Sequence, residues 1–139
     1  MGFHWVNGGL LDDVADPLHP EVLVYEPDAH GKLKLVALEY VIFQDAWFAH
    51  HPADSKPSLF GTDFMPMGSP NRYEIPAFFA LHVWLYKSNP DGMFEPFNPN
   101  VSCSGAAAAA GPRTATGSAA ALAAASVGRF ACRLESASA

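Results

Sequence analysis

Residues 21–43, EVLVYEPDAHGKLKLVALEYVIF, constrain the fold of this chain more than any other stretch. Two runs rich in Val, Leu and Tyr flank PDAHG, whose Pro, Asp and Gly supply the tight and positive-φ positions of a hairpin loop. In the second run, strict alternation puts Lys32, Lys34, Val36, Leu38, Tyr40 and Ile42 on one face of a strand. Leu33, Leu35, Ala37, Glu39, Val41 and Phe43 take the other. The face that opens with two lysines begins in water, so Glu39 lies on the face expected to be buried.

The neighbouring segments read in the same terms. FHWVN, residues 3–7, is a short strand closed by a turn at Asn7-Gly8-Gly9. QDAWFAHH holds one helical turn or two before Pro52. LFGTDFMPM predicts an edge strand, because Pro66 cannot donate to a ladder. AFFALHVWLYK predicts a long central strand, its Phe, Val, Trp and Tyr favouring β over helix. SNPDGMFEPFNPNVSC is a succession of Pro, Asn and Gly turns wrapping back over the surface. The expected fold is mainly β: a small antiparallel sheet or partly open barrel with long loops.

Composition divides the chain near residue 103. The first 103 residues hold every Trp and Tyr and all but one Phe, whereas residues 104–139 are dominated by Ala, Ser, Gly and Thr. The expected domain is therefore 1–103. The low-complexity tail, 104–139, is expected to be disordered or extraneous, as when GC-rich DNA is read in a wrong frame.

The net charge of −6 is concentrated as acid in the first part, with no basic stripe, which argues against nucleic acid or an anionic membrane as partner. No apolar run is long enough to span a bilayer. Cys103 and Cys132 fit neither a CxxC motif nor a zinc-finger spacing.

The blocks MGFHWVN, PEVLVYEP, KLKLVALEYVIF, LFG and LHVWLYKSNPDGMFEPFNPNVSC, in that order, resemble an uncharacterised family of small, mostly exported bacterial proteins. The family pattern runs MGxHWVN, PEVLVYEP, LVAVEY and LHVWLWKxNPxGxFxxWNPxVSC. The likeness covers almost all of residues 1–103, and its one departure, Phe97 where the pattern has Trp, keeps an aromatic. It implies an extracellular or periplasmic location, an export signal upstream of Met1, a partner for Cys103 outside the matching blocks, and a natural end near VSC. It implies no activity.

The candidate chemistry lies in three polar residues placed in apolar strands. His82 alternates with Ala80, Trp84 and Tyr86, while Leu81, Val83 and Leu85 face the other way, so His82 is expected on an aromatic-lined cleft. His4 sits between Phe3 and Trp5, and Glu39 occupies a desolvated position that requires a partner or a cation. Two imidazoles and a carboxylate suit zinc, iron or copper, which makes His4, Glu39 and His82 the candidate metal ligands. The structural alternative has the three satisfied by one another or by backbone.

Trp5, Trp84, Tyr86, Phe94 and Phe97 are expected either to line an apolar pocket, with Asn7 and Asn98 as polar anchors, or to cover the sheet as core. His19, His30, His50 and His51 lie in or beside loops and read as solvated.

The leading expectation is a domain that binds a metal ion or small ligand at this cleft. A small metal-dependent or acid/base enzyme with Glu39 as base, and a protein-interaction module presenting the aromatic face, are the alternatives.

Overall fold

The computed structural model describes residues 1–104 and a strand at Val127–Phe130. The chain is mainly β, with strands β1 (Phe3–Asn7), β2 (Val22–Pro27), β3 (Leu33–Phe43), β4 (Ser58–Leu59), β5 (Thr62–Asp63), β6 (Met65–Met67), β7 (Phe78–Val83) and β8 (Val127–Phe130), and a short helix α1 (Gln44–Phe48). Six of them form one antiparallel sheet in the order β6-β7-β3-β2-β1-β8, and β4 and β5 form a separate hairpin. Among the described residues the sheet is open rather than closed into a barrel. In the stretch expected to be disordered or extraneous, Val127–Phe130 pairs with β1; the rest of that expectation lies outside the described residues.

The hairpin forms as its loop chemistry dictates. The Asp28 carboxylate accepts from the backbone N–H groups of His30 and Lys32, both at 2.9 Å, and Gly31 takes φ 79°. Asn7 closes β1, its side chain accepting from Gly9 N at 3.1 Å above a short 3-10 turn. Pro66 lies on the edge strand β6, where its missing N–H costs no ladder bond.

Two expectations are corrected. The pairing of β2 with β3 shifts register between Val24 and Tyr25, so Val36 is an extra, bulged residue. Alternation therefore does not run unbroken along β3, and Lys34, paired with Glu26, shares the side of Glu39 rather than that of Tyr40. The long strand expected over residues 77–87 ends at Val83. There the Trp84 N–H turns to the Met93 carbonyl at 2.9 Å and the Tyr86 N–H to Val36 O at 3.2 Å.

Both faces of the sheet are covered. One side carries Tyr40, Ile42, Phe79, Leu81 and Val83, packed with Phe64, Trp47 of α1 and Leu59 of the small hairpin. The other carries Val24, Val36, Ala37 and Trp84 in one group, and Val22, Val41 and Phe78 in another. The turn-rich segment after β7 is tied down by Lys87, whose ammonium bridges both Glu26 oxygens at 2.6 Å, and by Asn98, whose amide donates to the carbonyls of Lys87 and Ser88.

Candidate metal centre

His4, Glu39 and His82 come from β1, β3 and β7 and lie on one side of the sheet, between its two apolar groups. Glu39 is the direct cross-strand partner of His82. His4 stands two strands from Glu39, about 10 Å away laterally at ordinary strand spacing. It reaches across β2, where the small side chains of Val24 and Val22, paired with His4 and Glu39, leave room above the sheet.

The two ring nitrogens and the carboxylate converge, each nitrogen facing a different Glu39 oxygen, and taking one ligand atom from each residue all three lie within 4.8 Å of one another. His4 Nε2 lies 3.4 Å from His82 Nε2 and 3.5 Å from Glu39 Oε2, and His82 Nε2 lies 3.5 Å from Glu39 Oε1. All three residues are buried, with relative exposures of 7%, 7% and 6% for His4, Glu39 and His82. These separations exceed those of good hydrogen bonds to nitrogen, about 2.7–3.2 Å, so the three groups face one another without satisfying one another well.

Neighbouring groups set the orientation of both rings. His4 Nδ1 lies 3.1 Å from the Gly2 carbonyl, which can only accept, so Nδ1 carries the proton and Nε2 presents its lone pair to His82 and Glu39. Gly2 has a steric reason to be glycine: a Cβ there would run into the Tyr25 carbonyl oxygen. His82 stacks on Trp84, with centroids 5.6 Å apart and planes at 12°, and the Trp84 indole N–H is anchored on Glu95 O at 2.6 Å.

Burial dominates the electrostatics. It pushes the Glu39 carboxyl up to about 8, with the Glu21 charge adding to the shift and Arg72 opposing it. Burial also brings His4 down to about 4, helped by the positive amino terminus and opposed by the Gly2 hydrogen bond. His82 falls to about 3, through burial first and then the charges of His4, the amino terminus and Arg72. Burial thus favours the uncharged form of all three groups when no cation is held: two neutral imidazoles and a protonated carboxyl.

Two cavities meet at the cluster. One, of ≈ 110 Å³, is lined by His4 and Glu39 with apolar side chains such as Val22, Val41 and Phe78. The other, of ≈ 250 Å³, touches Glu39 and His82 and is bordered by Arg72, Phe94 and Phe97. Arg72 donates to the Tyr73 hydroxyl at 2.8 Å. The Arg72-Tyr73 pair had no distinguishing sequence signal, since its loop is placed beside Glu39 by tertiary packing alone.

The other residues expected at the site separate. Trp84 supports it directly, and Phe94 and Phe97 line the larger cavity. Trp5, next to His4, points to the opposite side and packs against Tyr25. Tyr86, past the end of β7, is 59% exposed. Asn98 is 2% exposed, but its amide holds loop carbonyls and its Oδ1 accepts from Asn100 N, so it anchors the wrap instead of a ligand. His19 and His50 pair with Asp16 and Asp13 at the surface, and His51 stacks on Trp47.

The fold and cluster define a class: an open antiparallel β domain with a buried two-histidine, one-carboxylate group. Comparison with protein-family models, with curated proteins and with solved structures finds no match to this chain.

Proposed function

We propose that this domain binds a divalent transition metal of the zinc class through His4 Nε2, His82 Nε2 and Glu39, with one coordination position left for a further ligand. The observation that carries the reading is the convergence of three buried ligand groups: the two imidazole nitrogens stand 3.4 Å apart, and each lies 3.5 Å from one oxygen of the Glu39 carboxylate. Ligands about 2.0–2.1 Å from a tetrahedral zinc stand about 3.3–3.4 Å apart. An octahedral centre with similar bonds would draw neighbouring donors to about 2.9 Å. Three protein ligands with an open fourth position is also the stoichiometry of reactive zinc sites rather than structural ones.

The Gly2 carbonyl supports the reading as the outer-shell acceptor that aims a ligating histidine.

The test is a zinc titration against a competing chelator, on protein purified without a histidine tag. The expected result is one equivalent bound, weakened at least about a hundredfold by His4→Ala, His82→Ala or Glu39→Gln. No uptake, or uptake indifferent to all three substitutions, would sink the proposal.

The block resemblance supports an exported bacterial setting for the domain, in which Cys103 would be oxidised. Recovery of Cys103 as a free thiol from the source cell would contradict it.

A further inference from the structure

The strands beyond the three ligand groups lead into a chamber whose chemistry differs sharply from that of the cluster. Moving two residues along each strand from His4 and Glu39 reaches Val6 and Val41, with Val22 between them and Phe78 beyond. Leu11 and Ile75 complete the wall, and the chamber measures ≈ 110 Å³. That is of the order of the roughly 150 Å³ apolar cavity that takes up a benzene molecule. His4 and Glu39 line the same chamber, so a molecule inside it meets two of the three ligand groups directly.

Charge narrows the class of molecule. A divalent cation held by one carboxylate and two neutral imidazoles leaves one positive charge in a buried place, and buried charge is costly unless compensated. A monoanionic head group in the open position compensates it. The larger cavity on the other side is the more polar one, bordered by Glu39, Asp63 and Glu95 together with Arg72 and Met1. Among the described residues that line the small chamber Glu39 is the one carboxylate, and most of the others are apolar.

We propose that the chamber beside His4 and Glu39 takes a small monocarboxylate with a compact apolar body, aromatic or branched, whose carboxylate occupies the open coordination position while its body fills the space between Val22, Val41, Phe78 and Ile75. The inference rests on the metal-binding reading above.

Benzoate and acetate are the probes, and cobalt(II), substituted for zinc, is the reporter through its visible bands. Benzoate is expected to shift those bands saturably and at least about tenfold more tightly than acetate, since only benzoate buries a ring. Ile75→Trp, which fills the chamber from its covering loop, is expected to abolish the benzoate shift while cobalt still binds.

Equal affinity for benzoate and acetate overturns the chamber as the binding site, and so does a benzoate shift that survives Ile75→Trp. Should that variant fail to fold, the comparison of the two acids on the unaltered protein decides alone. Cobalt bound with no response to either acid overturns this inference and leaves the metal site standing. Absence of cobalt bands altogether overturns both.

Discussion

The two sides of the central sheet are made from alternate residues of the same strands, yet they carry opposite chemistry. On one, Tyr40, Ile42, Phe79, Leu81 and Val83 form a continuous apolar core. On the other, His4, Glu39 and His82 interrupt what would be an equally continuous one, leaving the Val24 and Trp84 group on one flank and the Val22 and Phe78 group on the other. The first side gains stability from every residue. The second places three poorly satisfied polar groups in a buried location, an arrangement that weakens the metal-free fold and becomes favourable when a cation is held. The lesson is a division of labour by strand parity: one face specifies the fold, and the other can accommodate a site because the first does not depend on it.

The largest effect should come from the apolar side. Phe79→Ala is expected to lower stability by about 3–5 kcal/mol in urea denaturation, through lost burial and the cavity left behind. His82→Ala, measured on metal-free protein, is expected to cost less, because it removes a poorly satisfied polar group along with its packing. If His82→Ala proved the more damaging, the contrast between the faces would collapse.

Titration should separate the faces next, by several kcal/mol. Glu39, near 8 in the fold against its ordinary 4.5, keeps a proton that the unfolded chain has lost, so its contribution is full below 4.5 and lost as pH rises through 8. Glu21, pushed to about 7 chiefly by burial, adds to the same decline. His4 and His82, near 4 and 3 against 6.5, act the other way: their contribution is full above 6.5 and lost as pH falls through their folded values. The metal-free domain should therefore be most stable between about pH 4.5 and 6.5 and weaken on either side. Loading zinc should remove the part of the decline above 6.5 that belongs to Glu39, since the bound carboxylate is ionised already. Melting curves across pH, with and without zinc, check both limbs.

A smaller effect sharpens the contrast further. Glu39→Gln should stabilise the metal-free protein at pH 8 by about 1–3 kcal/mol, because it removes the cost of burying a carboxyl that is ionised in the unfolded chain, while weakening zinc uptake. A variant that lost stability under those conditions would mean that Glu39 belongs to the structural frame. The smallest effect expected is that of Tyr40→Phe on the apolar side. It removes the hydroxyl that donates to Pro17 O at 2.9 Å and should cost about 1 kcal/mol.

Much of the fold was legible because local chemistry and tertiary structure agree. The Asp28–Gly31 loop, the short β1, the helical turn after Phe43 and the edge strand at Pro66 each follow from residues that act on their own backbone. Glu39 and His82 stood out as ionisable residues in apolar strands, and the register that pairs them is a tertiary fact consistent with that pattern. The bulge at Val36 was not legible, since Val suits a bulged and a regular position equally. Its effect was to break the face assignment that the lysines had anchored. Tyr86 failed as a cleft residue because β7 stops when Trp84 N–H leaves the ladder for Met93 O, a contact made by a loop nine residues further on. The small apolar chamber depends on Leu11 and Ile75 meeting over the sheet, which no local pattern announces.

X-ray absorption at the zinc edge of the loaded protein tests the central claim most directly. The account predicts four nitrogen or oxygen ligands at about 2.0–2.1 Å, with outer-shell scattering from two imidazoles that drops to one in His82→Ala. Zinc surrounded by six oxygens, or a spectrum carrying fewer than two imidazoles in the unaltered protein, would contradict it.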